Sequence, residues 1–243
     1  MQLKIMDLPF EQFPALSALE VCRHFFTQRI PGIDPAPAGH DKAEVLQRLD
    51  AAHREIRNAI GVADWPLFTA EQIHGSKIAV ASHAVAARRR VDSCSRSPVG
   101  REFPGCDGLI TNQPGVALGI YVADCCAVYI VDPKTPAIGL VHSGRKGSEL
   151  GVVTNAIKQM IDRFGSDPAN MIVQLSPCIR LPHYEVDFAA EIVQQCRALG
   201  VKQIHDSGIC TACDLNRYYS YRAEKGKTGR MLALIGLTPT IRN

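Results

Sequence analysis

Apolar residues recur at helical spacing in three stretches of the chain. Between Asp41 and Ile56, the residues Val45, Leu46, Leu49, Ala52 and Ile56 fall near one face. Gly151 to Phe164 carries a stripe of Val152, Val153, Ile157, Met160, Ile161 and Phe164, and Gly165 is a suitable stop. Tyr184 to Leu199 buries Val186, Ala190, Val193 and Leu199, and Gly200 ends it. Between these helices lie strand-like runs: Gln72–Val80, Val116–Val122, Ala127–Val131, Ala137–His142, Met171–Leu175 and Met231–Ile235. The stretch from Ser82 to Gly105 has turn residues and charges but no sustained period, so it reads as a long loop. Strands and helices alternate along the whole length. The expected fold is α+β: one layered domain over residues 1–243, with a mixed β-sheet flanked by helices.

Composition narrows the class. Apolar residues make up 46% and charged residues 21%, which excludes a disordered chain. A net charge of +3 is too small for a dedicated nucleic-acid binder, and the one dense basic run, Arg88 to Arg90, reads as a solvated loop. No apolar run approaches the roughly 20 residues of a membrane span, and Met1 to Phe13 lacks a signal-peptide core. Nine cysteines in irregular spacing point to free thiols or metal ligands rather than a disulfide framework. A cytoplasmic protein without nucleic-acid or membrane partners is the expectation; the oligomeric state stays open.

The chemistry concentrates between Ala123 and Gly147. Two apolar runs flank the turn Asp132-Pro133-Lys134-Thr135. Antiparallel pairing across it sets Val131 opposite Pro136, and counting outward sets Cys125 opposite His142. A thiolate and an imidazole on one face suit zinc. His74, in a strand-like segment and followed by Gly75, is the candidate third ligand. Three protein ligands leave a fourth position open, the catalytic arrangement. Cys126 reads as an ordinary core thiol, and Cys210-x-x-Cys213, without a second pair, as ordinary thiols.

Six segments in order now carry a resemblance: QIHG, CDGLITNQPGVALGIYVADC, VHSGRKG, SPCI with a following YEV, CTACDLNRYYSYR and KTGRM. From about Phe25 to Ile235 the chain resembles YfiH-like proteins, also called the laccase-domain or multicopper polyphenol oxidase family. The resemblance implies zinc on His74, Cys125 and His142, a mixed α/β fold and purine nucleoside chemistry. That chemistry is phosphorolysis of adenosine, guanosine, inosine and methylthioadenosine, and deamination of adenosine. One departure concerns a motif close to HAGWRG, which here reads His142-Ser143-Gly144-Arg145-Lys146-Gly147. Lysine lacks the planar fork of arginine, which leaves Arg145 to take over any phosphate grip. The proline usual after ADCx is Ala127 here.

The leading expectation is therefore an enzyme holding one zinc ion, with copper as a substitute ion, that acts on a purine nucleoside and phosphate. Phosphorolysis needs cations to hold the anion; Arg29, Arg145, Lys146 and Arg222 are the candidates, and Asp124 would orient a ligand, move a proton or simply bond within a turn. Deamination needs a hydroxide, which zinc supplies by lowering the pKa of water. Three rivals use the same residues. Copper oxidation of phenols is disfavoured, because eight histidines with no His-x-His pair cannot build a multicopper cluster. Editing of a peptidoglycan precursor would use Cys125 as nucleophile and His142 as base. A non-catalytic, metal-stabilised binding module would close the fourth position.

Overall fold

The computed structural model of the chain describes residues 9–33, 41–84 and 101–239. Its strands form two six-stranded mixed sheets. The first has the order β1-β2-β12-β7-β3-β5, from β1 (Phe10–Glu11), β2 (Cys22–Thr27), β12 (Met231–Leu237), β7 (Ala117–Val122), β3 (Leu67–Ala70) and β5 (Arg101–Phe103). The second has the order β11-β10-β8-β9-β6-β4, from β11 (Gln203–Asp206), β10 (Ile172–Leu175), β8 (Cys126–Asp132), β9 (Ala137–Ser143), β6 (Gly108–Thr111) and β4 (Ile78–Val80). The expected mixed α/β arrangement is thus present, with its strands divided over two sheets. No helix among the described residues is long and apolar enough to cross a membrane.

Burial explains the apolar runs. Every residue of β7, β8, β9 and β12 is buried, so both faces need apolar side chains and simple alternation is lost. Ala127, Tyr129 and Val131 of β8 face the core shared with the first sheet. Cys126, Val128 and Ile130 face the other way, onto the helices. There, α4 (Val152–Phe164) and α5 (Phe188–Ala198) bury Val153, Ile157, Met160, Phe188 and Ile192. Each such large side chain contributes about 1.5–3 kcal/mol by leaving water. Two shorter helices are α1 (Pro14–Ser17) and α3 (Arg145–Glu149). The longest, α2 (Lys42–Ala59), begins where the Asp41 carboxylate accepts the Ala43 N–H at 2.9 Å. Its His53 ring lies 5.9 Å from that of Tyr121 on β7.

Several boundaries differ from the sequence expectation for identifiable reasons. The helix expected from Tyr184 starts at Phe188, because Asp187 caps it by accepting the Ala190 N–H. The run Gln72–Val80 is a strand only over Ile78–Val80; before that the backbone takes positive φ at Gln72 (65°) and His74 (60°). The hairpin register is offset by two residues, with Val131 facing Ile138 and Ala127 facing His142. Asp132 is the last paired residue, and its carboxylate accepts the N–H groups of Lys134 and Thr135 inside the loop. The basic run Arg88 to Arg90 lies outside the described residues, as does most of the stretch from Ser82, whose end forms β5.

Candidate metal centre

Asp107 organises the site. It precedes β6 and its side chain is fully buried. Oδ1 accepts the His74 backbone N–H at 2.8 Å and Oδ2 accepts that of Gly75 at 2.7 Å. The same Oδ1 lies 2.9 Å from Nδ1 of His142 on β9. One carboxylate thus fixes both the loop that carries one imidazole and the ring orientation of the other. With Nδ1 of His142 engaged, Nε2 is left for an ion, the usual second partner of a metal-binding histidine. Burial works against the Asp107 charge, but the His142 and Gly75 hydrogen bonds outweigh it and lower its pKa.

Gln72 holds the loop from the other end. Its side-chain amide accepts the Tyr121 N–H at 3.0 Å and donates to the Tyr121 carbonyl at 2.5 Å. It thereby mimics one more residue of a neighbouring strand. A Cβ at Gly75 would lie 3.3 Å from Oδ2 of Asp107, a tight contact. Beyond Tyr121, β7 leads to Asp124, whose φ of 83° turns the chain sharply into Cys125. Both carboxylate oxygens of Asp124 are engaged: Oδ1 accepts the Thr211 hydroxyl at 2.7 Å and Oδ2 the Arg222 N–H at 2.7 Å. Of the three sequence roles offered for Asp124, these bonds favour the structural one, holding a turn.

The two-residue register offset keeps Cys125 and His142 on one face, because side chains alternate with period two. Continued by one residue past the Cys126–Ser143 pair, the register sets Gly144 opposite Cys125, and a Cβ on Gly144 would lie 2.6 Å from the Cys125 Sγ. A bare glycine gives the sulfur its room. Sγ lies 3.9 Å from Nε2 of His74, and the two imidazole rings sit 4.8 Å apart at 73°. One ligand atom from each of His74, Cys125 and His142 comes within 4.8 Å of the others. Ligands around one tetrahedral zinc stand about 3.3–3.6 Å apart, so a small inward movement completes the shell.

Charges agree with this donor set. Burial pushes the Cys125 thiol up, but the His142 and His74 imidazoles more than offset it and bring it to about 6. Burial pushes His142 down, and the Cys125 thiolate and the Asp107 carboxylate raise it to about 9. The two shifts are opposite in direction, each group favouring the charged form of the other.

The cluster opens into a cavity of about 520 Å³. Its apolar lining includes Tyr121, Ile179, Tyr184, Phe188 and Tyr221. Four cations also line it: Lys42, Arg145, Arg222 and Arg230. Two of these were expected, and each has a carboxylate partner. Arg145 bonds Glu149 at 3.0 Å, and Arg222 bonds Glu185 at 3.0 Å. The hydrogen bonds of the other two go to backbone carbonyls, Lys42 to Glu71 and Arg230 to Thr228 and Gly229. Burial lowers the pKa of both. Neither Arg29 nor Lys146 lines the cavity. Arg29 is an internal strut that pairs with Glu224 at 2.8 Å and lies over the Tyr219 ring at 4.3 Å. Sequence reasoning also passed over Asp107, Gln72, Lys42 and Arg230, although the first two and the last stand in quoted motifs.

A family model described as multi-copper polyphenol oxidoreductase laccase matches residues 23–192 and 183–238. A relative from Deinococcus radiodurans, named purine nucleoside phosphorylase, is 30% identical over 248 residues, covering 88% of each chain. Purine nucleoside phosphorylase YlmD of Geobacillus stearothermophilus is 28% identical over 223 residues, covering 74% of this chain and 78% of that one. The crystal structure of that YlmD superposes with a TM-score of 0.76 at 22% identity, covering 95% of this chain and 99% of the other. A Bacillus licheniformis hypothetical protein YfiH gives 0.77 at 22% identity, covering 97% and 98%. These two structures have the same fold as this chain.

Proposed function

The chain belongs to the multi-copper polyphenol oxidoreductase laccase family, and from that premise we propose that it is a zinc-dependent purine nucleoside phosphorylase. The observation that carries this reading is the cavity itself, where the His74, Cys125 and His142 cluster meets two half-buried cations, Lys42 and Arg230, that hydrogen-bond backbone carbonyls. Both line the cavity, and after burial and against the pull of Glu102 the Arg230 charge helps to lower the Lys42 pKa. A phosphate between them relieves that repulsion and forms charge-assisted hydrogen bonds. The aromatic lining of Tyr184, Phe188 and Tyr221 suits the face of a purine. The names of the relatives point to the same substrates.

In this mechanism a phosphate oxygen attacks C1′ of the ribose, the C1′–N9 bond breaks, and the purine leaves. Lys42 and Arg230 hold the phosphate and neutralise its charge at the attacking position. Tyr184 and Tyr221 orient the base, and Arg222 and Arg145 flank the cavity mouth. His74, Cys125 and His142 would hold the ion, which when bound supplies a Lewis acid beside the substrate. Asp107 keeps His142 oriented for that task. A sulfur and two nitrogens are a donor set zinc accepts, and the space opposite Cys125 left by Gly144 supports the fit.

A second reading is favoured by the low Cys125 pKa: Cys125 attacks a peptide-like substrate with His142 as its acid–base partner. One experiment separates the two. The protein is incubated with adenosine, inosine, guanosine and methylthioadenosine, with and without phosphate, before chelation, after it and after zinc is restored; products are identified by chromatography. Free base and ribose 1-phosphate, formed only with phosphate and lost on chelation, support the proposal. Inosine formed from adenosine would add the deaminase activity. Full nucleoside turnover in the chelated protein would overturn the zinc role, and no nucleoside turnover in any arm would overturn the phosphorylase reading and leave the Cys125 reading.

A further inference from the structure

Cys210 and Cys213 lie outside the cavity and take no part in the mechanism above. They bracket one 3-10 turn, Thr211–Cys213. The Cys213 N–H donates to the Cys210 carbonyl at 3.2 Å. A turn closed in this way holds its end Cα atoms within about 7 Å, and a disulfide needs about 4.4–6.8 Å. The neighbouring Cys210 thiol also raises the pKa of Cys213. Both are free thiols, Cys210 half-buried and Cys213 exposed.

The turn is fixed on its inner side. Thr211 is fully buried. Its N–H donates to the Cys178 carbonyl at 3.2 Å, and its hydroxyl to Asp124. A turn already immobilised loses little further entropy when its ends are joined. Other described thiols make a contrast. Cys22, Cys106, Cys126, Cys178 and Cys196 are buried, and burial pushes Cys22 and Cys196 up to about 12. Such thiols are inert to exchange.

We propose that Cys210 and Cys213 form a thiol–disulfide exchange site that takes low-molecular-weight disulfides of the glutathione type. The exposed Cys213 sulfur, as thiolate, attacks one sulfur of the small disulfide. The small S–S bond breaks, a mixed disulfide forms and one small thiolate leaves. The Cys210 thiolate then attacks the Cys213 sulfur and expels the second small thiolate. Two protein thiols are oxidised to one disulfide, one small disulfide is reduced to two thiols, and the two protons pass to the departing thiolates.

The test is a titration of the full chain across ratios of reduced to oxidised glutathione, followed by acid quenching, alkylation and peptide mass mapping. The expected result is joint loss of alkylation at Cys210 and Cys213 with one midpoint, a peptide lighter by two hydrogens, and reversal by dithiothreitol. In Cys213→Ser, Cys210 should end as a free thiol or a mixed disulfide and no internal bridge should form. Both cysteines staying alkylatable at the oxidised end would overturn the proposal. So would a bridge from Cys210 to Cys178, its neighbour across an isolated β-bridge, because the turn would then not be the exchanging unit.

Discussion

Asp107→Asn tests the organisation of the metal centre most directly. The change keeps size but leaves one acceptor oxygen where Asp107 uses two, for three N–H groups. If the amide oxygen faces His74 and His142, the amide NH2 opposes the Gly75 N–H and leaves it without a partner. If the amide is flipped, NH2 opposes the His74 N–H, and His142 can bond it only through an unprotonated Nδ1. That tautomer carries its proton on Nε2, the atom needed by the ion. Either way a part-buried N–H loses its partner, which costs about 1 kcal/mol. Loss of a metal ligand's carboxylate partner costs about 10–100-fold in affinity, or about 1.4–2.7 kcal/mol. Zinc affinity is read by competition with a chromophoric chelator, and stability by thermal melting, where each kcal/mol corresponds to about 2–4 °C in a chain of this size. Zinc affinity within twofold of the parent would refute the reasoning, because Asp107 would then not be holding the ligands.

Three further outcomes follow from the same geometry. Gly144→Ala puts a Cβ 2.6 Å from the Cys125 Sγ; zinc binding measured by the same competition should fall at least tenfold, and the melting point should drop by several degrees, in keeping with about 1–3 kcal/mol for overpacking at about 2–4 °C per kcal/mol. Lys42→Ala and Arg230→Ala should each raise the KM for phosphate about tenfold or more, since a hydrogen bond to a charged group is worth about 1.5–3 kcal/mol, and leave the nucleoside KM within a few-fold; the reverse pattern in steady-state kinetics would place the phosphate elsewhere. Burial lowers His24 to about 4 and His53 to about 3, so their contribution is intact above pH 6.5 and is lost as pH falls toward those values, when the unfolded chain takes up protons that the folded one refuses. Urea unfolding should show stability dropping by about 1.4 kcal/mol per pH unit for each histidine in that range, and His53→Leu should make the slope shallower.

The hairpin was legible because β8 and β9 are continuous apolar runs around a polar turn. Its register was not, because Asp132 looks like a turn residue yet still pairs with Ala137 before its side chain folds into the loop. The error was harmless to the site only because an offset of two preserves the face. His74 was found from its residue type and neighbouring glycine, in a segment misread as strand. The positive φ angles at Gln72 and His74 leave no local signal, since they are imposed by Tyr121 and Asp107. The cations show a different gap. Arg29 and Lys146 look like anion ligands by charge and motif, but tertiary packing sends one to Glu224 and leaves the other off the cavity. Lys42, at the start of α2, looks like an ordinary solvated helix residue until the fold sets it across from Arg230.

The spread of the ligands along the chain has a consequence for how the protein acquires its ion. Cys125 meets His74 across 51 positions, and Asp107 joins His142 across 35 and His74 across 33. In a zinc finger the ligands lie close in sequence, so the ion can gather them and drive folding. Here Cys125 and His142 share one hairpin, but His74 joins Cys125 across 51 positions, so the three come together only once the sheets form. Loading of the three candidate ligands would therefore follow folding, through the open cavity, and the metal-free protein would have to be stable by itself. The occupant is then chosen by whichever ions are free around the finished protein, a competition in which copper precedes zinc wherever both are available.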